Sequence, residues 1–286
     1  MKYLKSFKLL NEIQEHSIMF EQEQRRIFNN YYPLNLFSVK SLNDIDFSDI
    51  TIFYGNNGSG KTTLVNIIAE KMKASRKSVI DKGSFFDLYV SNCDYEMSMN
   101  IPVEIKIMTS DDIFEYILDI RSINSNVNRK KEMLSRAYLN NKYNSSGDSF
   151  YDYENIKNSY EAKKRTMSTY VRDRLENNNI IEYSNGQSAL MFWEREIKEE
   201  SIYILDEPEN SLSPENQLKL KKFIEDSVRF FDCQFIISTH SPFLLGLNDA
   251  KIYDLDSNPV IVSNWKDLPN IRTYYNFFKE RENDFK

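Results

Sequence analysis

The feature that most constrains this chain is a cluster of glycines between a short apolar segment and an amphipathic one. Residues 55–62 read G-N-N-G-S-G-K-T, although the whole chain has only 7 glycines in 286 residues. Average usage would give roughly 20. Glycine tolerates backbone angles and close approaches that a Cβ prevents. The cluster therefore predicts a loop of special backbone shape, placed where a strand at 50–54 passes into a helix at 62–74.

The loop matches G-x-x-x-x-G-K-[ST] at every fixed position, which is the pattern of a phosphate-binding loop (P-loop). The backbone N–H groups of such a loop converge on phosphate oxygens, and the N-terminus of the following helix adds positive potential. We expect Lys61 to bind the outer phosphates and the Thr62 hydroxyl to reach Mg²⁺. A glycine-rich turn without a ligand is the alternative, and the flanking strand and helix argue against it.

Two further strand ends carry residues that suit a phosphate site. Residues 201–209 read S-I-Y-I-L-D-E-P-E. We expect Asp206 to hold Mg²⁺, directly or through water, and Glu207 to orient and deprotonate the attacking water. His240 follows a second predicted strand at 234–238 and lies 34 residues after Asp206. At this spacing a contact with the γ-phosphate is favoured over a histidine that only caps the strand or packs in the core.

Residues 183–188, Y-S-N-G-Q-S, lead into another predicted helix and form a second anion-binding element. With the P-loop, D-E-P and T-H in this order, the chain resembles the ABC-type ATPases. The resemblance implies ATP and Mg²⁺ as ligands, Glu207 as catalytic base and His240 as switch histidine. It implies that the serine and glycine of the signature contact the γ-phosphate of ATP held by the opposite subunit. The implied nucleotide contacts are Asn56, Asn57, Gly58, Ser59, Gly60, Lys61, Thr62 and Thr63 in one subunit, with Ser184, Gly186 and Gln187 from the other.

The sequence departs from the usual ABC pattern at three places. Asn185 stands for a glycine of the signature, and Ser213 stands where many members have an aspartate. No glutamine occurs between Lys61 and Gln187, so the glutamine that transporter subunits use to bind Mg²⁺ and to couple to membrane domains is missing. Asn92 and Asp94 are candidate substitutes.

Composition bounds the class of protein. Hydrophobic residues make up 41% of the chain, which can supply a core. No stretch approaches the roughly 18 consecutive apolar residues of a membrane span, and the N-terminus lacks the features of a signal peptide. Cys93 and Cys233 are too few for a disulfide framework. We therefore expect a cytoplasmic protein without membrane association. The net charge of −6 argues against a generally basic nucleic-acid binder.

The segment 126–175 differs from the rest of the chain, because it has eleven basic and six acidic residues. We predict two polar helices, at 126–143 and 151–175, and refer to this segment as the basic arm. Its basic residues include Arg129, Lys130, Lys131, Lys163, Lys164, Arg165, Arg172 and Arg174, and its tyrosines are Tyr138, Tyr143, Tyr151, Tyr153, Tyr160 and Tyr170. A solvated helix pair with a half-buried aromatic seam, a surface for a protein partner and a nucleic-acid surface all remain open.

We expect an α/β fold of the P-loop NTPase type: a mostly parallel sheet with flanking helices and a helical arm. Residues 1–286 are expected to form one ABC-type ATPase domain, with 110–182 as a helical insertion and 270–286 as a C-terminal helix.

The wording of the motifs looks closest to small bacterial "AAA-family" ATPases related to the SMC, DNA-repair and OLD-type ATPases, some relatives of which serve in anti-phage systems. The resemblance implies an ATP-gated homodimer that regulates a protein effector. A DNA-associated ATPase is the first alternative. A transporter subunit is disfavoured by the missing glutamine.

Overall fold

The structure is a computed structural model that describes residues 2–23, 31–80, 82–143, 153–175, 185–210 and 212–286. The chain divides into two compact units. The first comprises residues 1–114 and 185–286, and the second comprises residues 115–184.

The first unit is built around a six-stranded sheet of order β5-β6-β7-β3-β8-β9. The strands among the described residues are β1 (Leu4–Lys8), β2 (Asp44–Asp46), β3 (Ile50–Tyr54), β4 (Asp94–Met97), β5 (Ile105–Thr109), β6 (Ile202–Asp206), β7 (Gln234–Thr239), β8 (Lys251–Asp254) and β9 (Ile261–Ser263). All neighbours in the six-stranded sheet pair in parallel except β9, which pairs antiparallel with β8. The predicted α/β fold with a mostly parallel sheet is confirmed.

The three central strands explain where the functional residues meet. Every residue of β3, β6 and β7 is buried, as expected for parallel strands covered on both faces. Since β7 lies between β6 and β3, their carboxyl ends are adjacent. Tyr54 is paired with Thr239, and Asp206 is paired with Ser238. The motifs that follow these strands therefore come together at one edge of the sheet.

The helices are α1 (Glu12–Glu23), α2 (Lys61–Lys71), α3 (Phe86–Asn92), α4 (Ser110–Tyr143), α5 (Tyr153–Lys164), α6 (Met167–Arg174), α7 (Asn185–Glu196), α8 (Pro214–Phe230), α9 (Pro242–Leu245) and α10 (Pro269–Glu280). Helix α2 buries Leu64, Val65, Ile67 and Ile68 completely in the core. None of the described helices has both the length and the apolar character that crossing a membrane requires.

A second, three-stranded antiparallel sheet of order β2-β1-β4 was not predicted. Its strands are only three to five residues long, so their alternation is weak. The buried side chain of Gln234 connects this sheet to β7. It accepts hydrogen bonds from the backbone N–H groups of Tyr3 (2.9 Å) and Leu4 (2.7 Å) and donates to the carbonyls of Leu4 (2.9 Å) and Ser48 (3.0 Å).

The segments LNLFSV (34–39) and FFDLYV (85–90) are rich in apolar, β-branched and aromatic residues, which predicts short strands, and both predictions are wrong. Residues 34–39 form turns that lead into a 3-10 helix at Ser38–Lys40, and the apolar side chains of Leu34 and Phe37 anchor this loop in the core. Residues 85–90 lie mostly in α3. Phe86, Tyr89 and Val90 are the buried positions of that helix, and their i, i+3, i+4 spacing is helical.

The basic arm, 126–175, lies within the second unit. Tyr138, Ala162 and Tyr170 form its buried cluster, with the two tyrosine rings 5.4 Å apart in an edge-to-face arrangement. The predicted helix at 151–175 is interrupted, because Thr166 caps α6 by accepting a hydrogen bond from the Thr169 N–H. Tyr143 and Tyr160 are exposed, so the predicted aromatic seam is limited, among the tyrosines whose burial the structure describes, to Tyr138 and Tyr170.

Both cysteines are free and buried. Burial raises the pKa of the Cys93 thiol to about 12 and that of Cys233 to about 11, which keeps both protonated.

Candidate active site

The P-loop joins β3 to α2 and takes the backbone shape that its glycines predict. Gly58 and Gly60 have φ angles of +82° and +102°, in the region that residues with a Cβ avoid. A Cβ on Gly55 would lie 2.7 Å from Ser59 Cβ, so a side chain would fit here only if the loop backbone shifted. Gly60 precedes the first residue of α2, and the helix N-terminus is therefore directed at the loop.

Lys61 is buried within this loop, with 5% of its surface exposed. Its Nζ donates hydrogen bonds to the carbonyls of Gly55 (2.9 Å) and Asn56 (3.1 Å) and lies 3.6 Å from Glu207 Oε1. These bonds hold the ammonium group inside the curve of the loop, where a phosphate would be bound.

A hydroxyl and a carboxylate meet beside the loop. The Thr62 hydroxyl donates to Asp206 Oδ1 at 3.2 Å, and the Ser238 hydroxyl donates to the same oxygen. Burial raises the pKa of Asp206, while the bonds from Ser238 and Thr62 and the charge of Lys61 oppose the rise. This arrangement follows from the register, because Asp206 and Ser238 are paired at the ends of adjacent strands.

Glu207 is the first residue after β6 and has a left-handed backbone, with φ of +47°. Its N–H donates to the Ser238 carbonyl at 3.0 Å, and its Oε2 accepts from Asn210 Nδ2 at 3.2 Å. Such a conformation is strained for a residue with a side chain, so the surrounding bonds must hold it. They place the Glu207 carboxylate between Lys61 and His240, whose Nδ1 is 3.7 Å away.

His240 follows β7 and is half-exposed. Its backbone N–H donates to Glu209 Oε1 at 3.0 Å, and the Thr239 hydroxyl donates to the same oxygen at 2.6 Å. Sequence reasoning did not single out Glu209. The signal that could have identified it is its position, because it is an acidic residue directly after D-E-P, in a turn next to the predicted metal ligand and base.

Three other residues around the P-loop were also missed. The Asp256 carboxylate accepts the Asn56 N–H at 2.9 and 3.1 Å. Lys40 Nζ bridges the carbonyls of Ser59 (3.0 Å) and Leu255 (2.6 Å), and Asn270 Nδ2 donates to Asn56 Oδ1 at 3.4 Å. These contacts come from segments distant in sequence and carry no local pattern, so only the fold brings them to the loop.

The structure places the remaining predicted residues as follows. Asn57 is exposed at the loop tip, and the Thr63 hydroxyl accepts a hydrogen bond from Tyr32 at 2.8 Å on the buried face of α2. Ser184 lies outside the described residues, whereas Asn185, Gly186 and Gln187 form the first turn of α7. Ser213 caps α8 by accepting from the Asn216 N–H.

The two candidates for the missing glutamine have local partners. Asn92 Nδ2 donates to the Leu88 carbonyl in α3, and Asp94 accepts from the Tyr95 N–H at the start of β4. These bonds tie both side chains to their own segment.

The Thr62 hydroxyl in the first turn of α2 and the Asp206 carboxylate at the end of β6 fit Mg²⁺. Two oxygen ligands at about 2.1 Å from an octahedral ion lie about 3 Å apart, and the Thr62 and Asp206 oxygens are 3.2 Å apart. Within the described ranges, no group of three or more His, Cys, Asp or Glu side chains is arranged to hold a metal. Hydroxyl and carboxylate ligands that leave the other positions to phosphate and water are the usual mode for Mg²⁺ beside a nucleotide.

Comparisons with known proteins agree with this geometry. A family model described as ABC transporter matches residues 43–210, and a model described as AAA ATPase domain matches residues 189–245. Comparison with curated proteins gave no match.

Similar solved structures include an Smc head domain with an extended coiled coil, bound to the C-terminal domain of ScpA, from Pyrococcus furiosus (14% identity, 99% of this chain and 100% of that chain, TM-score 0.41). They also include an SMC head domain from Thermotoga maritima (15% identity, 92% and 99%, TM-score 0.39). A third is an inward-facing metal-chelate type ABC transporter (15% identity, 96% and 88%, TM-score 0.40). At these scores the family assignment rests on the family model and not on the structural neighbours.

The ABC model spans more than half of the chain, from Asn43 to Asn210, and includes the P-loop and the acidic turn after β6. The protein therefore belongs to the ABC-type P-loop ATPases.

Proposed function

We propose that this protein hydrolyses ATP at the site formed by the P-loop, Asp206, Glu207 and His240. The observation that carries the proposal is the position of Glu207. Its carboxylate lies 3.6 Å from Lys61 and 3.7 Å from His240, one residue after the Asp206 carboxylate that Thr62 contacts. The proposed base, Glu207, therefore lies close to Lys61 and His240, which would bind phosphate. It also lies next to the Thr62–Asp206 pair, which would hold Mg²⁺.

The P-loop residues from Asn56 to Thr63 would bind the phosphates of ATP. Lys61 would exchange its bonds to the loop carbonyls for phosphate oxygens, since an ammonium group prefers an anion to a neutral acceptor. Thr62 and Asp206 would hold Mg²⁺. When bound, the metal neutralises phosphate charge and polarises the phosphoryl oxygens.

Glu207 would accept a proton from the attacking water. About a quarter of its side chain is exposed, so water can reach it. Asn210 holds Oε2, and Oε1, which faces Lys61 and His240, would act as the base. His240 and Lys61 would stabilise the negative charge on the phosphoryl group as it is transferred.

We further propose that two copies clamp two ATP molecules. The N-terminus of α7, with Ser184, Gly186 and Gln187, would bind the γ-phosphate held by the partner copy. Support comes from the start of α7 at Asn185, because the N–H groups and the dipole at a helix N-terminus favour an anion.

Glu207→Gln tests both parts of this proposal. The amide keeps the shape of the side chain and removes the base, so turnover should fall by about 10²-fold or more, while ATP binding should persist. We expect the variant to be a dimer in ATP by light scattering, and the wild type to be a dimer only transiently. Glu215→Gln, an exposed position on α8, is the matched control. If Glu207→Gln stays monomeric in saturating ATP, the clamp is wrong; if its turnover equals that of the wild type, Glu207 is not the base.

The proposed clamp would regulate a protein effector, and one setting is the ATPase subunit of an anti-phage system. The support is the resemblance of the motifs to the small bacterial ATPases named above. Affinity capture with the Glu207→Gln variant in ATP and in ADP tests it, because a regulated effector should be retained in only one nucleotide state.

A DNA-associated ATPase is the second candidate function, favoured by exposed cations of the basic arm. Arg129, Lys131, Lys163 and Arg172 are exposed. Other cations are engaged within the arm: Arg174 pairs with Glu161 and lies over the Tyr170 ring, and Arg165 pairs with Asp173. If the arm binds DNA, retention of duplex DNA should require ATP, weaken with salt and be lost in a double variant, Arg129→Glu with Lys131→Glu. Absence of retention at low salt would dismiss this function.

A further inference from the structure

Glu209 is an acidic residue in an almost fully buried position. Only 5% of its surface is exposed, in the turn that follows β6. Removing a carboxylate from water is strongly unfavourable unless hydrogen bonds or a counter-charge compensate. The surroundings of Glu209 should therefore show what the buried group does.

One oxygen of Glu209 holds the end of β7. Its Oε1 accepts hydrogen bonds from the Thr239 hydroxyl at 2.6 Å and from the His240 N–H at 3.0 Å. The Thr239 hydroxyl in turn accepts the Ser241 N–H at 3.0 Å, so the whole turn that carries His240 is connected to Glu209.

The same oxygen faces the imidazole ring. Glu209 Oε1 is 3.5 Å from His240 Nδ1, and Glu207 Oε1 is 3.7 Å from the same nitrogen. Among the described residues, Nδ1 is shielded from solvent and has no hydrogen-bond partner, although the His240 side chain is 44% exposed. The exposed edge of the ring is therefore the one that carries Nε2.

The electrostatics of this arrangement select one position for the ring proton. A lone pair on Nδ1 would face two carboxylate oxygens, which are acceptors only. A proton on Nδ1 could instead be donated to Glu209 Oε1, 3.5 Å away, after a small rotation of the ring. The partner of one ring nitrogen decides which nitrogen carries the proton.

We infer that Glu209 is a positioning residue for His240. It keeps one ring proton on Nδ1 and leaves Nε2 on the exposed edge of the ring, where a protonated ring has its second N–H and can donate it to a phosphate oxygen. The inference rests on the proposed hydrolysis for its functional meaning, but the tautomer itself is a property of the protein without nucleotide. Glu209 acts through His240 and touches no reacting atom.

Histidine NMR tests the tautomer directly, because the chain has only 2 histidines. In ¹⁵N-histidine-labelled protein without a histidine tag, the exposed His16 is removed as His16→Gln, which leaves the signals of His240 alone. We expect the neutral ring to carry its proton on Nδ1. In Glu209→Gln we expect a shift of the population toward the Nε2-protonated form, since the amide keeps an oxygen for Thr239 and the His240 N–H but removes the charge. Glu215→Gln should leave the spectrum unchanged.

Steady-state kinetics give the functional readout. Glu209→Gln should lower kcat by about tenfold or more and leave KM for ATP within about twofold, as expected for a residue that orients a group acting in the transition state. A spectrum of His240 that is the same in Glu209→Gln as in the wild type would overturn the inference. A tautomer that depends on Glu209, in a wild-type protein that does not hydrolyse ATP, would instead support the positioning role and contradict the proposed function.

Discussion

The side chain of Gln234 offers a quantitative test of how the two sheets of the first unit are joined. It is fully buried at the start of β7 and makes four hydrogen bonds to backbone groups of Tyr3, Leu4 and Ser48. We choose Gln234→Leu as the perturbation, because leucine has a similar size and can make none of these bonds.

The size of the effect on the free energy of unfolding follows from the buried backbone groups that lose their hydrogen-bond partner in Gln234→Leu. Each hydrogen bond contributes about 0.5–1.5 kcal/mol net, and a buried backbone group without a partner costs about 1–3 kcal/mol. Four bonds at about 1 kcal/mol each give about 4 kcal/mol, and the apolar side chain recovers about 1 kcal/mol by its own burial. We therefore expect the free energy of unfolding of the first unit to fall by about 3 kcal/mol.

Urea denaturation followed by tryptophan fluorescence measures this change. With a slope near 2 kcal/mol per molar urea, the midpoint should fall by about 1.5 M. Gln14→Leu is the matched control, since Gln14 is exposed and its side chain accepts a single hydrogen bond, from the Asn11 N–H. This control should change the midpoint by less than about 0.5 M. If both variants have the same midpoint, the four bonds do not join the sheets energetically, and the estimate from buried backbone groups is refuted.

Two further predictions concern the nucleotide site. Gly55→Ala should reduce ATP affinity at least about tenfold in calorimetric titration, since its Cβ would lie 2.7 Å from Ser59 Cβ, which cannot move away unless the loop backbone shifts. Gly246→Ala, where the nearest atom is 3.5 Å away, should bind as the wild type does. Asp206→Asn should raise the melting temperature of the nucleotide-free protein near neutral pH and abolish hydrolysis. Burial raises the pKa of Asp206 in the folded state, so the stability that its protonated form contributes is present below the unfolded pKa and lost as pH rises through the folded pKa. The gain in the variant should therefore vanish in acid, and a gain that is equal at all pH values would contradict the burial argument.

The central part of the fold could be predicted from sequence because its signals are local. The segments ITIFY, IYILD and QFIIST are buried parallel strands of nearly continuous apolar and β-branched residues, and helix α8 has both a capping serine and a proline at its start. The P-loop pattern gave the strand-to-helix transition at Gly60–Lys61 within one residue.

The wrong and missing predictions concern apolar segments whose sequences show no clear helical or strand periodicity, and strands whose partners are distant in sequence. Residues 85–90 contain consecutive apolar residues that suit either a strand or a short helix, and the packing of Phe86, Tyr89 and Val90 against the core decides for the helix. The antiparallel sheet escaped prediction because its pairing depends on residues more than thirty positions apart, such as Phe7 with Ile45 and with Tyr95.

The difference between local and long-range contacts also explains which site residues were predicted and which were missed. Lys61, Asp206, Glu207 and His240 each stand in a sequence motif. Asp256 and Lys40 contact the P-loop from distant segments, and the role of Glu209 is visible only once β6 and β7 are adjacent.

The balance of charge at the site gives a physical reason for the proposed dimer. Asp206, Glu207 and Glu209 lie within four residues of one another. In the part of the chain that the structure describes, the cationic group within 4 Å of a carboxylate of this set is Lys61, joined by His240 when it is protonated. A triphosphate would add further negative charge to a partly buried place, where unbalanced charges are poorly screened. One copy can offer Mg²⁺ held by Thr62 and Asp206, the N–H groups of the P-loop and the N-terminus of α2. If the outermost phosphate binds beside Lys61, it would lie near these carboxylates, and a second helix N-terminus, that of α7 from a partner copy, would then help to offset their charge. On this reasoning ATP and the second copy should each strengthen the binding of the other, and the affinity for ATP should rise with protein concentration in the Glu207→Gln variant.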